Sequence, residues 1–297
     1  MDLTRPADLH LRAATLAAAT PALLARAQDL AQSVIIGSHG RRRAGAGEDF
    51  WQYRQAQAGD PARAIDWRRS AKSDQSFVQD KEWQIAQTVQ LWVDPAASLH
   101  YASLPALPAK ADRARLLGLA LMIGLARGGE RTGLAGKALP PRRGMGHLGR
   151  MAELLTGAKA HDDYGTPDLS GTAPRAKIVL ISDFLGDMAG IEAALHRAVA
   201  QGAKGALLQV LDPAETRFPF KGRTIFESIG VTQLGAGLRH ETLEAADLRQ
   251  AYLQRLAERQ ERLSRLALQA GWHFKTHVTD QPPAPALMAL HQALGTA

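Results

Sequence analysis

Residues 177–183 read KIVLISD, an unbroken apolar stretch that runs into an aspartate. A run of this length and composition marks a strand buried on both faces rather than one with a wet side. The same pattern recurs along the chain: VQLWV (89–93) precedes Asp94, LLQVL (207–211) precedes Asp212, and HVT (277–279) precedes Asp280. Helical spacing separates these strands. It runs from Lys110 to Arg127, where Gly128-Gly129 stops it, and returns over 146–155, 191–200, 243–270 and 285–294. Arg131 to Gly136 reads as a short strand, and Phe77, Val78 and Trp83 suggest another ahead of residue 88. Residues 157–175, rich in Gly, Asp, Pro and Thr, form a long loop. Strands alternating with helices predict an α/β fold, doubly wound around a mostly parallel sheet with helices on both faces, of Rossmann-like type. Residues 1–35 are rich in Ala and Leu and predict two short helices separated near Thr20-Pro21.

In a parallel sheet, Asp94, Asp183, Asp212 and Asp280 all fall at the carboxyl edge, where open α/β sheets bind ligands. Four acids there repel one another unless a metal, a lysine or an arginine intervenes. Asp212 stands before Pro213 and Asp280 before Gln281-Pro282-Pro283, which is helix-cap chemistry. Asp94 and Asp183 read equally well as caps and as site residues.

The chain has 297 residues, 45% of them apolar, which suits one large domain or a domain with an appendage. It contains no cysteine, so disulfides, thiol nucleophiles and cysteine-ligated zinc are excluded. Its N-terminus lacks the apolar core of a signal peptide. The longest apolar run, 116–126, is broken by glycine and falls short of the roughly 20 residues of a membrane span. The expectation is a cytoplasmic protein with no membrane span. A net charge of +7, with clusters at Arg41-Arg42-Arg43, Arg68-Arg69 and Arg142-Arg143, permits attraction to nucleic acid or an acidic protein. No aromatic residues interleave these clusters in the manner of single-strand binders, and solvated arginines are the plainer reading.

Residues 45–71, GAGEDFWQYRQAQAGDPARAIDWRRSA, mix turn formers, fixed charges and aromatics with unusual density. This run resembles the signature of the DUF58 family, a bacterial group with a von Willebrand factor A-like (vWA-like) domain often encoded beside MoxR-type AAA+ ATPases. Ala56 departs from that pattern, since relatives tend to carry an aromatic there. The segment 211–223, LDPAETRFPFKGR, and the long helix bearing Tyr252, Leu256, Leu263 and Leu266 also resemble family features. The resemblance implies a division into N-terminal helices plus signature, residues 1–75, and a vWA-like α/β domain, residues 76–297. Within the signature, Glu48, Asp49, Phe50, Arg54, Gly59, Asp60, Arg63, Asp66, Trp67 and Arg68 have two readings. They form a docking face, or they are an internally paired lid that packs Phe50, Trp51 and Trp67 onto the sheet.

The resemblance also raises a metal site. A-type domains hold Mg²⁺ or Mn²⁺ with an Asp-x-Ser-x-Ser loop, a threonine and a further aspartate, because a hard dication takes oxygen ligands in near-octahedral geometry. Here the first loop reads Asp94-Pro95-Ala96-Ala97-Ser98, so Ala96 replaces the middle serine. Ser182-Asp183-Phe184 resembles the third element, and residues 137–143 contain no hydroxyl. The candidate ligands are Asp94, Ser98 and Asp183, in a degenerate site. The alternative is that Asp94 and Asp183 pair with a basic side chain.

Catalytic motifs are lacking. No Gly-x-Ser-x-Gly elbow, Walker loop or dinucleotide fingerprint follows a strand. His273 and His277 sit four apart in a strand, about 13 Å from each other, too far to share an ion. The expectation is therefore a non-catalytic adaptor with a degenerate metal site, whose partner the resemblance identifies as a MoxR-type AAA+ ATPase. A nucleic-acid-associated protein using Arg41, Arg42 and Arg43, and a metal-dependent hydrolase, are the alternatives.

Overall fold

The computed structural model describes residues 6–34, 41–45, 49–57, 60–72, 75–137, 139–158, 162–227 and 239–296. In chain order the elements are α1 Pro6–Ser33, β1 Arg41–Gly45, β2 Asp49–Gln55, α2 Trp67–Ser70, β3 Phe77–Ile85, β4 Thr88–Val93, α3 Lys110–Arg127, β5 Arg131–Leu134 and α4 Leu148–Thr156. They continue with β6 Lys177–Ser182, α5 Met188–Ala200, β7 Lys204–Leu211, α6 Pro213–Arg217, β8 Thr224–Glu227, β9 Arg239–Thr242, α7 Arg249–Gln269, β10 His273–Val278 and α8 Pro283–Thr296. Two compact units divide the chain: residues 1–38 with 88–297, and residues 39–87. Within the larger unit, α1 packs with α3 and α4.

In that unit five parallel strands take the order β10-β7-β6-β4-β5. The runs VQLWV and KIVLIS lie within β4 and β6, buried along almost their whole length. One face of the sheet packs Leu91, Val179 and Leu208 against α1, α3, α4 and α8; the other packs Trp92, Leu180 and Leu207 against α5 and α7. The doubly wound reading holds. Helix α3 is buried nearly all round, as a helix within a core must be. Gly118 lets it approach the sheet: a Cβ there would sit 2.8 Å from Leu91 Cδ2 and 3.3 Å from Val93 Cγ2.

The N-terminal stretch forms one helix, not two, with Pro21 inside α1. An interior proline removes one backbone hydrogen bond and normally kinks or ends a helix. Here tertiary contacts outweigh that penalty. Ala27, Leu30 and Ala31 are buried in the core, and the Thr20 and Thr156 hydroxyls lie 2.8 Å apart in a hydrogen bond to α4.

The smaller unit is a three-stranded antiparallel sheet in the order β1-β3-β2, with a register shift between Phe50 and Gln52. Asp66 organises the stretch that follows β2. Its Oδ1 accepts from the Arg69 backbone N–H at 3.0 Å, capping α2, and its Oδ2 accepts from Tyr53 Oη–H at 3.1 Å. The Asp66 N–H donates to Phe77 O at 2.8 Å, and the Arg69 guanidinium lies 4.1 Å from the Tyr53 ring centroid.

Candidate functional site

Chain order reverses at β4, with β5 on one side and β6 on the other. That reversal opens a crevice at the carboxyl ends of β4 and β6, the usual binding place in a doubly wound sheet. Asp94 leaves β4 and Asp183 leaves β6 at this point, so the topology brings these two predicted residues together.

Asp94 is almost fully buried and well partnered. Its Oδ1 accepts from the Ala96 N–H at 2.8 Å, and its Oδ2 accepts from Ser182 Oγ–H at 2.6 Å. Ser182 Oγ in turn accepts from the Phe184 N–H at 2.9 Å. Gly165 comes so close that a Cβ there would lie 2.0 Å from Asp94 Oδ1. Burial pushes the Asp94 carboxyl up to about 6, against the pull of the Ser182 and Ala96 hydrogen bonds.

Asp183 is equally buried, and Lys110 stands against it. Lys110 Nζ donates to Asp183 Oδ2 at 2.9 Å and to Glu215 Oε1 at 2.5 Å. Asp183 Oδ1 accepts from the Leu185 N–H at 3.1 Å, and Glu215 Oε2 accepts from the Asp212 N–H at 2.7 Å. Burial alone would lower the Lys110 pKa, but Asp183 and Glu215 outweigh it and hold the ammonium above its ordinary value. One cation serves two acids, and burial pushes the Glu215 carboxyl up in spite of Lys110.

The loop after β6 is held from several directions. Phe184 is buried with φ +50°, a left-handed conformation that costs a bulky residue on the order of 1–3 kcal/mol. Arg259 of α7 donates to the carbonyls of Phe184 and Gly186, and Gln209 Nε2 donates to Asp183 O at 2.9 Å. These bonds keep the strained loop in place.

Of the remaining edge acids, Asp212 caps α6 in a capping box with Glu215, as expected. Asp280 instead accepts from Arg217 at 2.5 Å. Ser98 is buried, its N–H donates to Asp163 O at 2.9 Å, and its hydroxyl has no hydrogen-bond partner. Thr166 supplies a hydroxyl near this edge from the loop that carries Gly165, not from residues 137–143. It shares a recess of about 190 Å³ with Asp94 and Ala96.

The donor set fits a hard dication poorly. Ala96 has no side-chain oxygen, and Lys110 places a positive charge with no free lone pair on the carboxylate of Asp183. Among the described residues, no group of three or more His, Asp or Glu side chains could hold a metal ion.

The signature residues lie in the smaller unit. Asp60 Oδ2 accepts from the Gln57 N–H at 2.7 Å in a local turn, and Asp66 caps α2. Arg63 and Arg68 are exposed. Trp67 is 63% exposed and opens α2, a single turn with no buried residue. Glu48 and Gly59 lie outside the described residues. Asp49, Phe50 and Arg54 belong to β2, and Arg41, Arg42 and Arg43 to β1.

Sequence reading asked for a positive group between the acids but named neither Lys110 nor Glu215. A signal existed for each. Lys110 is a cation in the first turn of α3, where the helix dipole disfavours positive charge. Glu215 completes Asp212-Pro213-Ala214-Glu215, a capping-box spacing.

Fold and edge together define a doubly wound α/β domain with a lysine bridging two acids at its switch point. The chain belongs to the family described as protein of unknown function DUF58, whose profile matches residues 52–262. Among solved structures it is similar to a conserved hypothetical protein BatB from Bacteroides thetaiotaomicron, with 14% identity over 71% of this chain and 98% of that one, and a TM-score of 0.42. It is also similar to an aerotolerance-related membrane protein from Bacteroides fragilis NCTC 9343 carrying multiple mutations to serines, with 16% identity over 71% of this chain and 100% of that one, and a TM-score of 0.39. No curated protein matches the chain. Among the described residues, no helix is long and apolar enough to cross a membrane.

Proposed function

We propose that this protein is a non-catalytic adaptor that docks a protein partner at the carboxyl edge of its sheet. In this reading Lys110 takes the place that a metal ion has in vWA domains. The observation that carries it is the state of the edge carboxylates. All six oxygens of Asp94, Asp183 and Glu215 already accept a hydrogen bond from within the chain. Bonds so placed fix the orientation of each carboxylate and use part of its acceptor capacity within the chain. The edge keeps its shape and fixed charge, which suits recognition rather than turnover. The proposed partner is a MoxR-type AAA+ ATPase.

The test is binding of a purified MoxR-type ATPase to the immobilised protein, in Mg²⁺ and in EDTA. Leu104, 56% exposed in the loop after β4, offers an edge variant, Leu104→Asp. The reading expects equal binding in both buffers and at least tenfold weaker binding to the variant. Failure to bind, or binding that EDTA abolishes, overturns it. Recovery of nucleic acid that moderate salt removes would transfer the function to the basic clusters.

A further inference from the structure

Beside the Lys110 bridge lies a cavity of about 650 Å³, within the range typical of small-molecule sites. Its walls are aromatic: Tyr101, Tyr164, Phe218, Phe220, Phe226 and Tyr252. Three of the four tyrosines and three of the seven phenylalanines of the chain gather here, too strong a concentration for a packing flaw. Phe218 anchors them. It holds a left-handed backbone conformation, with φ +46°, at the end of α6. Its ring centroid lies 4.9 Å from Tyr252, 5.2 Å from Phe220 and 5.8 Å from Phe226.

The floor is polar and carries excess negative charge. Lys110 and Glu215 line it, Asp183 stands behind Lys110, and Asp212 adjoins Glu215. Asp183 and Glu215 thus share one ammonium, and Asp212, also buried, lies beyond Glu215. All three cavity tyrosines have hydroxyl pKa values pushed up, first by burial and then by carboxylates that include Glu215. Ser98 also lines the cavity, and its buried hydroxyl lacks a partner. The exposed Arg255 and His240 sit at the rim, where water screens them.

We propose that this cavity binds a small organic cation, an ammonium or guanidinium group on an apolar body. Aromatic faces attract cations most strongly where water is excluded. The apolar body replaces water against Phe218, Phe220 and Phe226, and the charge lies toward Tyr164, Tyr252 and Glu215, because the Lys110 ammonium already stands 6.0 Å from the Tyr101 ring centroid. Ser98 Oγ can accept from a ligand N–H. An anion would meet the carboxylate excess, and a neutral ligand would leave it uncompensated. This inference does not depend on the adaptor reading, because it requires no protein partner.

The test is calorimetric titration of the full chain with benzyltrimethylammonium, its neutral isostere neopentylbenzene, and phenylacetate. The cation is expected to bind at least tenfold more tightly than either of the others. Phe226→Leu and Tyr252→Leu preserve apolar bulk and remove ring faces, so each should cut the cation-to-neutral preference at least threefold while circular dichroism and melting stay near wild type. Equal binding of the neutral isostere, tighter binding of phenylacetate, or no binding to folded protein would each overturn the proposal. A preference that survives both leucine variants would overturn the role of the aromatic faces.

Discussion

Lys110 Nζ lies 2.9 Å from Asp183 Oδ2, joining residues 73 apart in the chain through a pair that is about 1% exposed on each side. The ammonium sits at the first turn of α3, where the helix dipole opposes it, so the carboxylates are what hold it there.

Removing that ammonium should be costly. Lys110→Met leaves Asp183 and Glu215 without their cation, and breaking a buried pair in this way costs about 3–5 kcal/mol. Denaturant unfolding measures the loss. Adding Asp183→Asn and Glu215→Gln to the same chain should restore much of it, because no buried charge then stands alone. Millimolar Mg²⁺ should leave the melting temperature of the wild type unchanged and raise that of Lys110→Ala, which vacates the space between the acids. A wild-type rise that Asp94→Ala abolishes would show a working metal site instead.

Asp94 makes stability fall with rising pH over a defined window. Its folded pKa, about 6, exceeds the ordinary value of 3.8. Between those values the folded state keeps a proton that the unfolded chain has released, so the folded state weakens as pH rises through the window. The full effect is about 3 kcal/mol. Asp94→Asn should therefore gain on the wild type by up to this amount between pH 4 and pH 7, measured as paired unfolding curves. Asp94→Ala should lose stability at neutral pH, because Ser182 Oγ–H and the Ala96 N–H lose their acceptor.

His277 acts with the opposite sign. Burial, followed by the Arg113 charge, holds its pKa down at about 4. Arg113 Nη1 donates to His277 Nε2 at 3.1 Å and also donates to the carbonyls of Thr279 and Gln281, so the neutral imidazole is the form that fits. The unfolded chain takes up a proton as pH falls through the ordinary value of 6.5 and the folded chain does not. The contribution of His277 is complete above 6.5 and is lost progressively toward pH 4, to about 3 kcal/mol. His277→Gln, which can still accept from Arg113, should flatten this part of the pH profile.

Gly165→Ala tests how closely the 162–169 loop must approach the edge. The added methyl would fall on the carboxylate of Asp94, 2.0 Å from Oδ1. Either the loop retreats or Asp94 turns, and the expected loss is about 2 kcal/mol or more in unfolding free energy. Gly149→Ala, within α4 where a Cβ meets nothing within 4 Å, serves as the control and should lose no stability.

Sequence alone determined the parallel sheet, its strands and the acidic edge. Runs such as KIVLIS are legible because burial on both faces is written into consecutive residues, and the helix at 110–127 was bounded by its own stop at Gly128-Gly129. Asp94 and Asp183 could be placed together because a parallel sheet puts every strand's carboxyl end on one side. Tertiary structure alone decided what neutralises them. Lys110 meets Glu215 across 105 residues of chain, a pairing set by crossovers and loop paths that local periodicity does not encode. The same holds for Pro21, where packing of α1 overrides a local helix breaker. It holds again for the aromatic cavity, whose rings come from five separate stretches of the chain, brought together by the packing of α6, the β8–β9 hairpin and α7 beside that edge.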